Sequence, residues 1–202
     1  MQILQLRLIN VKSYVDETLD FQPGINFISG INGAGKSTII ESIGYALFNY
    51  NPYLLKQLLR EGASQGEIQV LIEGADERLY RVIRKFNATS SQKWEVWDEE
   101  TSAMLDELHG SDDVSLWLKR TMGVAPGDSL PDLFRQVIAV QQGQFTTPFL
   151  DAPGPRTKTF DAVLKVEDYR EAFTNTAFLE KELDHEAQAL TREREILELT
   201  LA

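Results

Sequence analysis

Gly30-Ile-Asn-Gly33-Ala-Gly35-Lys36-Ser37 fills every fixed position of the pattern G-x-x-x-x-G-K-[ST]. Each fixed position answers a chemical need. Glycines let backbone N–H groups close around the α- and β-phosphates of a nucleotide with no Cβ in the way. Lys36 reaches the β/γ oxygens, and the Ser37 hydroxyl can ligate Mg²⁺. The flanks agree with this reading. Ile25-Asn-Phe-Ile28 is a short apolar run that predicts a buried strand over 25–29. Ser37 to Phe48 has helical spacing, with Ile39, Ile40, Ile43, Ala46 and Leu47 on one face. Strand, glycine loop and helix in that order aim a helix N-terminus at an anion. The bland alternative, a glycine-rich turn, leaves this context unexplained.

The chain has 202 residues, 43% of them hydrophobic, enough for one cored domain with an appendage. It has no cysteine, hence neither a disulfide framework nor a thiolate metal site. Only His109 and His185 are histidines, which argues against zinc catalysis. The net charge of −11 argues against a surface that attracts nucleic acid everywhere, while leaving room for a local basic patch. The first residues alternate polar and apolar, unlike a signal peptide, and no segment approaches a membrane span. A cytoplasmic protein with no membrane partner is expected.

Strands are expected at 2–10 and 15–21 as well as 25–29. Asn49 to Pro52 breaks the pattern, Tyr53 to Arg60 predicts a helical turn or two, and Gly62 stops it. Glu67–Glu73, Leu79–Phe86 and Lys93–Asp98 read as strands of an antiparallel sheet. Asp112–Met122 reads as a helix, with a second short one over Asp132–Val137. From Val166 onward Tyr169, Thr176, Leu183, Leu190 and Leu197 recur every seven residues, beside a mixed series of Val166, Phe173, Glu180, Ala187 and Arg194. This is a heptad pattern running to the last residue; an amphipathic helix packed on the domain is the alternative. The division expected is 1–165 for a lobe and 166–202 for the start of a coiled-coil helix.

Hydrolysis needs a carboxylate for Mg²⁺ or the attacking water, normally at the end of an apolar strand. Val70-Leu-Ile-Glu73 is the one rough candidate; it is too short, glycine follows where a second acid would help, and a strand edge with a solvated Glu explains it far better. Nor does His109-Gly110-Ser111 resemble a serine-glycine-glycine signature. The chain is therefore expected to bind nucleotide without completing hydrolysis alone. Val137-Ile-Ala-Val140-Gln-Gln142-Gly-Gln144 reads as an apolar strand breaking into a glutamine-rich loop. A glutamine amide there can set an oxygen on Mg²⁺ and an NH₂ toward water, or simply be solvated. Arg78, Arg81, Arg84, Lys85 and Lys93 form the densest basic region, read either as DNA-phosphate contacts or as cations balancing an acidic domain.

Taken together, these features resemble the N-terminal ATPase lobe of the SMC-like DNA double-strand-break repair ATPases of the SbcC type. Three segments carry the resemblance: Ile9-Asn-Val-Lys12-Ser13-Tyr14, Phe21 through Thr38, and the Q-loop-like Val140-Gln-Gln142-Gly-Gln144-Phe, followed by the heptads. The resemblance implies an α/β fold of the ABC type, a mixed sheet around the phosphate-loop helix plus an antiparallel sheet, with a C-terminal coiled-coil helix. It implies ATP and Mg²⁺ as cofactors. Asn32, Gly33, Ala34, Gly35, Lys36, Ser37 and Thr38 would hold the phosphates, with Ser37 and Gln142 on the metal and Lys36 and Gln142 catalytic. Lys12 and Ser13 would lie near the phosphates; lysine stands at Lys12 where arginine is common, without the bidentate fork. The turn at Arg60, Glu61 and Gly62 would reach the base or ribose. The implied partners are a C-terminal lobe of the same protein with the signature and acidic motifs, a second head in an ATP sandwich, an SbcD-type nuclease, and double-stranded DNA in a nucleoid-associated setting. An SMC-type scaffold remains an alternative role. A transporter ATPase fits less well, because heptads follow the Q-loop.

Overall fold

Strict alternation in Gly66–Glu73 puts Ile68, Val70 and Ile72 on one side of a strand and Glu67, Gln69 and Glu73 on the other. In the computed structural model, which describes residues 1–139, 152–164 and 166–201, the first set is fully buried. Each such side chain contributes roughly 1.5–3 kcal/mol by leaving water. This strand, β3, is central to a six-stranded sheet ordered β2-β1-β3-β4-β5-β6. The others are β1 (Gln2–Val11), β2 (Tyr14–Asp20), β4 (Leu79–Phe86), β5 (Ser91–Asp98) and β6 (Ala103–Met104). Every pairing is antiparallel. β1 joins β3 with Leu6 opposite Val70 and Leu8 opposite Ile68, after an irregularity between Ile3 and Gln5.

One face of the sheet carries the core. Helix α1 (Lys36–Phe48) buries Ile39, Tyr45, Ala46, Leu47 and Phe48 there. Ile40 stays 45% exposed, so the apolar stripe lies slightly to one side of the expected one. The Trp94 Nε1–H donates to the Ala46 carbonyl at 2.8 Å, pinning α1 to β5. Gly44 is needed here: a Cβ would sit 2.4 Å from the Phe134 ring. Phe134 in turn stacks near Phe48 at 4.9 Å and Tyr50 at 5.2 Å. Helix α3 (Ser111–Met122) buries Val114 and Leu118 and closes on Gly123 in the left-handed region. A single turn, α2, covers Leu55–Leu58, shorter than the span expected from Tyr53 to Arg60.

Two expected strands are corrected. Residues 25–29 form no strand; Ile25 and Phe27 are 98% and 90% exposed. The described sheet ends at β2, and an isolated strand with no edge beside it gains no ladder hydrogen bonds. Accordingly the described residues contain an antiparallel sheet, without the mixed sheet expected around α1. Val137 and Ile138 are likewise not extended. Helix α4 (Leu130–Leu133) continues into a π-helical turn, Phe134–Ile138, whose Ala139 N–H donates to the Phe134 carbonyl at 2.8 Å. Burial of Phe134 against Gly44 anchors this turn. Val140 and the glutamine-rich loop, Gln142 included, lie outside the described residues.

The chain divides into two compact units, Met1–Phe145 and Thr146–Ala202. The second contains α5 (Pro153–Leu164) and the 36-residue α6 (Val166–Leu201). Its heptad side chains Tyr169, Phe173, Leu183, Leu190 and Leu197 are all exposed.

Candidate phosphate-binding site

Between Gly30 and Ser37 the backbone uses conformations that few side chains tolerate. Gly33 has φ +82° and Gly35 φ +94°. Gly35 is also the N-cap of α1, with no side chain capping the first turn and no acidic residue in that turn. A helix of this length leaves its first N–H groups for an external acceptor, and its dipole favours a negative one. The Lys36 ammonium folds back over the loop, donating to the carbonyls of Gly30 and Ile31 at 2.8 Å each. Asn32, Gly33, Ala34 and Ser37 are exposed, whereas Thr38 is buried behind them. The donor set is therefore a cationic amine, uncapped amides and an accessible hydroxyl. It fits the phosphates of ATP with Mg²⁺.

The turn between β1 and β2 packs onto this loop. A Cβ on Gly35 would meet the Ser13 Oγ at 2.6 Å and the Tyr14 ring at 2.9 Å. The Tyr14 hydroxyl donates to the Gly35 carbonyl at 3.2 Å; burial first, and then Glu17, push that phenol up from its ordinary pKa. Arg60 secures the turn from behind. Its Nη1 donates to the Ser13 carbonyl at 3.0 Å and the Lys12 carbonyl at 3.3 Å. Lys12 itself adopts φ +45°, and its N–H donates to the Leu58 carbonyl at 2.9 Å. Arg60 thus organises Lys12 and Ser13 through their backbone. Glu61 and Gly62 form the exposed turn beyond it, Gly62 at φ +81°.

Arg60 meets Lys12 and Ser13 at the turn that packs on Gly35, and the structure adds two residues that sequence reasoning missed. Lys12 Nζ lies 2.6 Å from a Glu41 carboxylate oxygen and 4.3 Å from the centre of the Tyr53 ring. The Tyr53 hydroxyl donates to the other Glu41 oxygen at 2.9 Å, which raises the phenol's pKa. The one signal available was spacing: Glu41 follows Ser37 by four residues, on the same helix face.

Glu73 ends β3 on the side opposite the buried residues that face α1, so it is no acid for this site. The basic region is also resolved. Arg78 pairs with Asp98, Arg81 with Glu99 at 2.5 Å, Lys85 with Glu67 at 3.2 Å, and Lys93 with Glu95 at 3.0 Å. Arg84, counted among these cations, is not on the surface with them: it is 4% exposed in the core. There it lies between the Tyr45 and Trp94 rings at 4.6 and 4.1 Å and donates to Asn49 Oδ1 at 2.8 Å. Burial lowers its pKa.

A protein-family model described as an AAA domain matches residues 5–202. The chain is 27% identical over 172 residues to the DNA double-strand break repair Rad50 ATPase of Methanopyrus kandleri, covering 84% of this chain and 19% of that protein. It is 27% identical over 200 residues to the protein of the same description from Archaeoglobus fulgidus, covering 95% of this chain and 20% of that one. The solved structure of the recombination mediator protein RecF with ATP matches 81% of this chain and 39% of that chain, at 15% identity and a TM-score of 0.49. The chain spans about a fifth of the length of the curated relatives it matches. With that match over nearly its whole length, the chain belongs to the AAA domain family, among the N-terminal ATPase lobes of the SMC-like Rad50 and SbcC type.

Proposed function

We propose that this lobe binds ATP with Mg²⁺ at Gly30–Ser37 and supplies half of an ATPase head that works in the repair of DNA breaks. The observation that carries this reading is the convergence on one point of the Lys36 ammonium, the uncapped first turn of α1 and the left-handed Gly33 and Gly35. Bound Mg²⁺ would supply charge neutralisation between the phosphate oxygens. The chain's own residues do the rest. Lys36 exchanges its loop carbonyls for β/γ-phosphate oxygens, Asn32 to Thr38 enclose the phosphates, and the Ser37 hydroxyl serves as a ligand. Gln142 is assigned to the metal and attacking water, and the Arg60–Gly62 turn to the base or ribose.

The reading extends to partners. Ile25, Phe27 and Ile31 are 98%, 90% and 82% exposed directly beside the loop, which supports a C-terminal lobe of the same protein covering them. That lobe would bring the acidic and signature motifs, and two heads would enclose two ATP molecules. The exposed heptad stripe of α6 supports a coiled coil. The relatives are described as DNA double-strand break repair ATPases, which supports a role in that repair; double-stranded DNA and an SbcD-type nuclease are proposed with it as partners, in a cytoplasmic setting. No described helix is long and apolar enough to cross a membrane.

Titrating the full-length protein with a fluorescent ATP analogue tests the core of the proposal. Lys36→Ala is expected to abolish binding, and unchanged affinity would overturn the assignment.

A further inference from the structure

We propose that Glu41 is a positioning residue that competes with nucleotide phosphate for the Lys12 ammonium, assisted by Tyr53. The inference rests on the phosphate-site reading above. Lys12 is held in two parts. Its backbone is fixed by the Leu58 carbonyl, by the Arg60 guanidinium on its own carbonyl, and by the packing of Ser13 and Tyr14 on Gly35. Only the side chain is left to move, and its present partners are Glu41 at 2.6 Å and the Tyr53 ring at 4.3 Å.

Glu41 stands one helical turn beyond Ser37, about 6 Å along the axis. A flexible four-carbon stem spans such a distance without any change in the backbone that carries it. The ammonium cannot contact both anions at once. Each phosphate contact made by Lys12 is therefore made against the pull of Glu41, and the hydroxyl of Tyr53, donating to the second carboxylate oxygen at 2.9 Å, fixes Glu41 in place for that contest. With the pair part-buried, at 26% and 18% side-chain exposure, water screens it only partly. The result is a set point for nucleotide affinity built into α1 itself.

The test is a double-mutant cycle in the full-length protein, with Mg²⁺ and a fluorescent ATP analogue as the probe. Glu41→Gln is expected to tighten binding about two- to fivefold when Lys12 is present, and to change nothing in the Lys12→Met background. The ratio between wild type and E41Q is expected to shrink as ionic strength rises toward about 0.5 M. An equal tightening in both backgrounds would mean direct repulsion between Glu41 and phosphate, and would overturn the proposal. So would weaker or unchanged binding by E41Q. If Lys36→Ala abolishes binding while E41Q does nothing, this inference alone fails; if Lys36→Ala also does nothing, the underlying site reading fails.

Discussion

Gly35 shows how one residue can be demanded twice. Its φ of +94° is a left-handed conformation, and any Cβ there would strike Ser13 Oγ at 2.6 Å. Gly33, at φ +82°, has open space where its Cβ would go. Glycine-to-alanine changes at the two sites therefore separate strain from contact. Gly33→Ala should cost only the left-handed penalty, about 1–2 kcal/mol. Gly35→Ala adds overpacking of the β1–β2 turn, a further 1–3 kcal/mol or so. Urea denaturation of the full-length protein is expected to rank Gly35→Ala as clearly the more destabilising, and nucleotide titration to show the weaker binding in the same variant. Both glycines were legible as a motif. The turn that packs against one of them was suggested only by the family resemblance, because Ser13 and Tyr14 lie more than twenty residues away in sequence and no local pattern links them to the loop.

Among the elements, legibility followed the locality of the physics. β3 and β4 declared themselves by alternation, and α1 by its spacing and glycine start. The run at 25–29 has the same apolar composition yet is no strand, since a strand is made by its neighbour's backbone. Val137 and Ile138 were misread for a related reason: Phe134, four residues earlier, is captured by the gap over Gly44 and sets a π-helical turn. The α3–β4 contact yields a pH test. Tyr80 meets Trp117 edge-on at 5.0 Å and donates to Asp76 at 2.7 Å. Burial, then that hydrogen bond, push its phenol up to about 12. An unfolded tyrosine loses its proton near 10. Hence its stabilising contribution is whole below about pH 10 and is lost as pH rises toward 12. Denaturation midpoints measured across that range should fall more steeply for wild type than for Tyr80→Phe.

Over the whole molecule, the chain reads as a piece of surface chemistry waiting for cover at one edge. Phe27 is the sharpest probe. Phe27→Ser should leave the stability of the sheet unchanged, since the side chain packs on little of it. It should also reduce co-purification of this lobe with a separately expressed C-terminal part. Undiminished association would remove 25–31 from the proposed lobe contact. A last consequence concerns the order of events as the chain folds. β3, β4 and β5 are joined by short turns and can assemble from local contacts. β1 reaches β3 by a ladder that runs from Gln2 opposite Glu73 to Ile9 opposite Glu67, a closure that brackets the phosphate loop and α1. Closing so long a segment is entropically slow relative to a hairpin. The loop is therefore expected to gain its final shape after the β3–β5 hairpins, so in refolding experiments competence for nucleotide should appear later than the hairpin signal.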